Sequence, residues 1–318
     1  MKNKFFEVLR AGISTTYQDG GRFGLQHFGV APSGCMDLKS FKIANYLVGN
    51  DLNEGVIEFA YQGPLLKLNG GKTKVAIAGN VHFEITNSKN EKIYGECNRS
   101  YILNSGDQID IAATKKSVYG YLAVEGGFDL KPFHNSVSTL TRASIGPNEG
   151  KKINIQDKIY YKKDCTDQNN LIETSSYSEN NVIRVLKGPQ YDFFSEDTQK
   201  KFFSTLYKIT NLTDRMGMRL EGEFLKNNVS TNIRSEGITK GAIQVPGDGF
   251  PIILLADHPT IGGYPKIANV ISADYDLLVQ KKPSMSISFK LVEISEAESA
   301  FQSYEKEIDK MLSKIKKV

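Results

Sequence analysis

Short runs in which apolar and polar side chains alternate recur along most of the chain. Val81, Phe83 and Ile85 alternate with His82 and Glu84, and Met285, Ile287, Phe289 and Leu291 alternate with Ser286, Ser288 and Lys290. A period of two sends one set of side chains to a core face and the other to solvent, so both runs predict half-buried strands. Further strands are predicted at 5–9, 56–60, 65–68, 75–78, 101–103, 109–112, 118–124, 182–186 and 252–255. Turns such as Ser105-Gly106-Asp107 and Gly126-Gly127 punctuate them at the spacing of barrels or sandwiches.

Few segments carry the longer helical period. Asp37 can cap a helix running to Val48, with Leu38, Phe41, Ala44 and Leu47 on one face and Gly49 as its stop. A second helix is predicted over 196–206. The last shows a capping box, Ser295 with Glu298, and an apolar stripe of Ala297, Ala300, Phe301, Tyr304, Ile308, Met311 and Ile315. Between 158 and 181 the chain turns polar and loses its periodicity. The predicted organisation is therefore an N-terminal β-rich domain over 1–160, a linker or exposed excursion over 161–180, and a C-terminal β-rich domain with a terminal helix over 181–318.

Composition narrows the possible partners. In 318 residues, 40% are hydrophobic and 24% charged, and the net charge is +4. No basic face emerges, which argues against nucleic acid. The local Lys310, Lys314, Lys316, Lys317 group reads as a solvated helix end. Cys35, Cys97 and Cys165 are scattered and odd in number, which fits a reducing compartment better than a disulfide framework. No run approaches the ~18 apolar residues of a membrane span, and Glu7 and Arg10 break the N-terminal apolar run. The expectation is a cytoplasmic protein that does not engage a membrane.

Several chemical signatures fail. Gly71-Lys72-Thr73 ends like a phosphate-binding loop, but Leu66 stands where its first glycine belongs and a strand follows, so a hairpin turn is predicted. Histidines and cysteines never reach metal-ligand spacing, so no metal site is expected.

Other segments concentrate polar groups. The stretch from Gly237 to Ala268 brackets an apolar run with two turns rich in glycine and proline. It carries Gln244 and Asp248 before the run, and Asp257, Thr260, Gly262, Gly263 and Tyr264 after it. Glycines let backbone amides approach a ligand, and a rigid strand fixes side-chain direction; a tight β-connection with solvated tips explains the same pattern. Gln18-Asp19-Gly20-Gly21-Arg22 can form a hydrogen-bonding fork or an Asp19–Arg22 brace. In Asp214-Arg215-Met216-Gly217-Met218-Arg219, an extended chain would place Arg215 and Arg219 on one face with Gly217 between them. That face suits a planar anion, the alternative being a solvated strand face.

These blocks also carry a resemblance. Thr15 to Gly24, Gly29 to Asp37, Ala44-Asn45, Val48-Gly49-Asn50, Gly188-Pro189-Gln190, Asp214 to Gly222 and the 237–268 stretch occur in order, nearly end to end. Together they resemble the carboxyltransferase-type family that includes the C subunit of bacterial 5-oxoprolinase, the second-subunit part of urea carboxylases (allophanate hydrolase subunit 2) and the antagonist of a sporulation-kinase inhibitor. The resemblance implies tandem cyclophilin-like β-barrel domains. It also implies membership of an ATP-dependent hydrolase complex that opens 5-oxoproline to glutamate, with a companion subunit of related fold and a hydrolytic subunit.

Within that resemblance, ATP would act in the complex at a site this chain does not reveal, and the chain alone would be inactive. Gln244 and Asp257 would orient the ring, and Arg215 or Arg219 would hold the carboxylate of the small-molecule substrate. Gly262 and Gly263 would offer amides, with Thr260 and Tyr264 nearby, while Gln18, Asp19 and Arg22 would border the cleft. Two other readings stay open. One is a biotin-dependent carboxyltransferase acting on urea or a similar amide, its biotin on another chain because Met-Lys-Met is absent here. The other is a regulator that binds the companion subunit. Departures occur at Leu140 and at Ile145-Gly146-Pro147-Asn148, where the family has a tyrosine and a glycine pair, and at His258-Pro259, where it has Arg-Gln.

Overall fold

The computed structural model describes residues 4–165, 168–172, 180–230 and 232–317. By chain contacts these divide into two units: one within 1–22, 33–177 and 308–318, the other within 23–32 and 178–307. The mainly-β expectation holds. Part of the segment predicted as a linker, 166–167 and 173–179, lies outside the described residues.

In the first unit six strands pair in the order Lys158–Tyr160, Phe5–Arg10, Leu65–Asn69, Gln108–Thr114, Val81–Thr86, Lys92–Tyr94. A second sheet runs Ser14–Gln18, Val56–Ala60, Tyr119–Val124, Lys72–Gly79, Arg99–Asn104, Asn170–Leu171, Lys316–Lys317. Phe6, Ile57, Phe59, Leu66, Leu103 and Ile109 are fully buried in the core of this unit. The Leu38–Val48 helix is capped as expected, with the Asp37 side chain accepting from the Ser40 amide and Gly49 taking a left-handed conformation.

The second unit is a closed barrel. Its strands run Val182–Lys187, Lys266–Val270, Ala242–Gln244, Ile252–Leu254, Gly217–Glu221, Tyr207–Thr213 and Ser286–Leu291, the last pairing in parallel with the first. Phe202 of the Glu196–Ser204 helix stacks on Phe289 at 4.8 Å and plugs this unit's core.

Several local expectations need correction. The Gly71 turn is not a hairpin, because the strands it joins lie in different sheets. The helix predicted over 196–206 stops at Ser204, and Leu206 is exposed. The Ser295–Glu298 box does not start the last helix. That helix spans Ile294–Leu312, the Ala297 amide already bonding to Glu293 O, and Ile308, Met311 and Leu312 are its buried residues. Lys316 and Lys317 lie in a strand pairing with Asn170–Leu171 rather than at a helix end. A further helix, Ser272–Val279, went unpredicted because its buried face includes Asp274, whose carboxylate grips the Arg184 guanidinium at 2.6–3.2 Å.

Candidate functional site

The second unit's register lines up one row of side chains across four strands. Arg219 lies opposite Ile252, Ile252 opposite Gln244, and Gln244 opposite Lys266. Directly opposed residues share a face. The adjacent row, Met218, Ile253, Ile243 and Ala268, is at most 1% exposed and fills the barrel. Arg219, Ile252, Gln244 and Lys266 therefore stand on the outer wall. A register shift puts Lys266 there: Ile243 faces Ala268, but Gln244 faces Lys266, leaving Ile267 as an extra residue.

A two-stranded ribbon, Glu236–Gly237 with Ile261–Gly262, lies against this wall. Ile238 seats it by packing with Ala242, Leu254 and Ile252. At its end Lys266 Nζ lies 2.6 Å from Glu236 Oε1, the lysine side chain being 3% exposed and the glutamate 42%. Gln190 Nε2 donates to the same carboxylate oxygen at 2.7 Å, and Gln190 Oε1 accepts from the Lys266 amide at 3.1 Å. Lys266 and, secondarily, Gln190 hold the Glu236 carboxyl below its ordinary pKa. Gly188 makes the Gln190 contact possible, since a Cβ there would lie 2.2 Å from the Lys266 carbonyl oxygen.

Gln244 is 5% exposed, and its buried Nε2 has no hydrogen-bond partner among the described residues. A Cβ at Gly262 would come within 2.8 Å of that nitrogen and 2.4 Å of Ile238 Cδ1, so a larger residue there would push both side-chain ends aside. The Thr260 carbonyl accepts from the Ile238 amide, the Gly263 carbonyl from the Ile233 amide, and the Tyr264 carbonyl from Lys266 Nζ at 3.4 Å. Gln244, Gly262, Gly263 and Tyr264 are thus gathered around Lys266, Glu236 and Gln190.

Asp257 is elsewhere. Gln244 faces Ile252, the first residue of the Ile252–Leu254 strand, whereas Asp257 lies past that strand's end, after Leu255 and Ala256. There it meets Arg215 in a two-pronged pair, Nε to Oδ2 and Nη2 to Oδ1, both at 2.9 Å, with side chains 11% and 7% exposed. Arg215 does not share an extended face with Arg219. Asp214 Oδ1 accepts from the Met216 and Gly217 amides, which bends the chain before the Gly217–Glu221 strand begins. Arg219 pairs instead with Asp248. His258 is 3% exposed, its Nδ1 lying 2.7 Å from Pro259 O, and burial pushes its pKa down.

The other predicted cluster lies in the first unit. Asp19 accepts from the Ser136 and Ser138 hydroxyls at 2.8 and 2.5 Å, and from the Gly21 and Val137 amides at 2.9 and 2.7 Å. Arg22, 1% exposed, donates to the carbonyls of Phe133 and Ser138 at 3.1 and 2.8 Å. Gln18 Nε2 donates to Thr139 O at 3.1 Å. The predicted Asp19–Arg22 brace is thus replaced by two separate anchors on the 133–139 segment. These serines and Arg142 belong to the segment that departs from the family at Leu140.

Phosphate chemistry finds no fit at Gly71-Lys72-Thr73. The Lys72 amide donates to Asp164 Oδ1 at 3.3 Å, so a carboxylate stands where a phosphate would, and Lys72 opens a strand rather than a helix. Among the described residues no group of three or more His, Cys, Asp or Glu is placed to hold a metal ion. No helix among them is long and apolar enough to cross a membrane.

The chain that folds this way matches a known family. Residues 28–291 match the carboxyltransferase domain, subdomains A and B, and the chain belongs to that family. It is 31% identical to the C subunit of 5-oxoprolinase from Escherichia coli over 310 residues, covering 96% of this chain and 97% of that protein. It is 34% identical to the C subunit of 5-oxoprolinase from Haemophilus influenzae over 291 residues, covering 92% of each. The Kluyveromyces lactis urea amidolyase crystal structure aligns with a TM-score of 0.88 and 27% identity, covering 98% of this chain and 20% of that one.

The residues that sequence reasoning missed are Lys266, Glu236 and Gln190. Gln190 stands in the Gly188-Pro189-Gln190 block with no chemical signal of its own. Lys266 carried a signal, a lysine set inside the strand-like run from Pro265 to Val270.

Proposed function

We propose that the chain is the C subunit of a cytoplasmic ATP-dependent 5-oxoprolinase, acting with a companion subunit of related fold and a hydrolytic subunit. The observation that carries this reading is coverage. The match to the E. coli protein spans 97% of its length and 96% of this chain, whereas the urea amidolyase has 80% of its length outside the match.

A lactam is a poor electrophile. ATP, bound elsewhere in the complex, would supply a phosphoryl group to the lactam carbonyl oxygen, making the carbonyl carbon a better electrophile for water. The C–N bond then breaks, the nitrogen leaving as the amine of glutamate and the phosphoryl group as inorganic phosphate. This chain's residues would hold the ring. Gln244 presents an unsatisfied donor beneath the ribbon, and Gly262 lets the ribbon close over it. Donors fixed before the reaction stabilise developing negative charge on oxygen without reorganising. Arg215 and Asp257 hold the turn that leads into the ribbon, and Arg219 holds the Asp248 loop. The second reading, a biotin-dependent carboxyltransferase component acting on urea or a similar amide, is favoured by the 0.88 TM-score to urea amidolyase. Glutamate release from 5-oxoproline and ATP by the chain purified with its companion subunits tests the first reading. Bicarbonate-dependent consumption of urea would favour the second.

A further inference from the structure

Lys266 and Gln244 sit opposite each other on neighbouring strands of the outer wall, and both side chains end in donors. One is an ammonium with 3% of its side chain exposed. The other is an amide whose buried nitrogen has no partner among the described residues. A buried unpaired donor is uncommon in a folded protein and is explained where a ligand completes it. The acceptor that Lys266 does have, Glu236, is 42% exposed on a ribbon of two residues per strand. Elements so short and exposed open at low cost.

We propose that Lys266 and Gln244 form a subsite for the carboxylate of a small-molecule ligand, and that Glu236 is a built-in carboxylate occupying it until the ligand displaces it. The geometry supports exchange of like for like. Glu236 Oε1 lies 2.6 Å from Lys266 Nζ and 2.7 Å from Gln190 Nε2, so a free carboxylate oxygen there would inherit two donors. Its second oxygen would turn toward Gln244 Nε2, satisfying the orphaned group. Exposure lets the displaced glutamate turn to water, while buried Lys266 could not remain unpaired at comparable cost. This rests on the 5-oxoprolinase reading for the ligand's identity, since 5-oxoproline bears one carboxylate, but not for the existence of the subsite.

The test is calorimetric titration of the full-length chain with 5-oxoproline, acetate and the uncharged lactam 2-pyrrolidinone. The wild type should bind 5-oxoproline and not 2-pyrrolidinone. Glu236→Gln, which removes the competing charge, should bind 5-oxoproline about fivefold tighter or better. Lys266→Met should weaken it about tenfold or more, the loss expected for a charge-assisted hydrogen bond. Unchanged or weaker binding by Glu236→Gln would overturn the proposal, and this variant alters an exposed side chain, so it serves even where Lys266→Met folds poorly. If acetate binds as tightly as 5-oxoproline to both the wild type and Glu236→Gln, the subsite stands and the substrate assignment fails.

Discussion

Replacing Arg215 by methionine separates a brace from a ligand-binding group. Arg215 and Asp257 are paired through two bonds of 2.9 Å, with side chains only 11% and 7% exposed. Methionine keeps the apolar stem but takes the two-pronged guanidinium away from the buried Asp257 carboxylate. Breaking a buried pair from one side costs about 3–5 kcal/mol, most of it from the charge left behind. At ~2–4 °C per kcal/mol for a domain of 150–250 residues, the thermal midpoint should fall by roughly 10 °C. The contrasting change, Arg219→Met, opens a pair whose side chains are 34% and 42% exposed. Such pairs contribute ~0–1 kcal/mol, so its midpoint should move by less than about 4 °C. Removing both charges with Arg215→Met and Asp257→Leu should recover much of the loss, because no buried charge remains. Differential scanning calorimetry of the four proteins decides the matter. An Arg215→Met protein as stable as wild type, with impaired activity in the complex, would show that this guanidinium serves a ligand.

Other outcomes follow from the same contacts. Gly188→Ala should destabilise the chain by about 1–3 kcal/mol in denaturant unfolding, because its Cβ would meet the Lys266 carbonyl oxygen at 2.2 Å and backbone cannot give way cheaply. Gly262→Ala should instead lower activity of the complex more than stability, since its Cβ meets the movable ends of Ile238 and Gln244; steady-state rates beside melting curves would show which is affected. Burial lowers the pKa of His258, so the unfolded chain binds the proton more readily, and stability should be complete above the ordinary histidine range and decline as pH falls through it. Melting between about pH 7.5 and 5.5 should show that decline, and His258→Gln should flatten it.

Much of the β framework is legible in the sequence because half-buried strands repeat their period locally. Val81 to Ile85 and Met285 to Leu291 announce themselves this way, and the Asp37 cap and Gly49 stop define a helix by backbone chemistry alone. The barrel strands Ala242–Gln244 and Lys266–Val270 are less visible. One is three residues long, and the other carries the register shift that turns a lysine to the outer wall. The site is legible in part for a related reason. Glycine and glutamine at 262 and 244 mark close approach and polarity, but pairing of Lys266 with Glu236 depends on strands and a ribbon distant in sequence. Arg215 and Arg219 illustrate the reverse: an even spacing suggests a shared face only if the chain stays extended, and Asp214 bends it.

The most direct measurement is turnover by the chain reconstituted with the companion and hydrolytic subunits proposed above, supplied with 5-oxoproline or urea, with ATP present or omitted. ATP-dependent formation of glutamate from 5-oxoproline, lost when this chain is left out and absent from this chain alone, is the expected result. Glutamate formed equally well without the chain, or urea consumed with bicarbonate in place of 5-oxoproline, would contradict it.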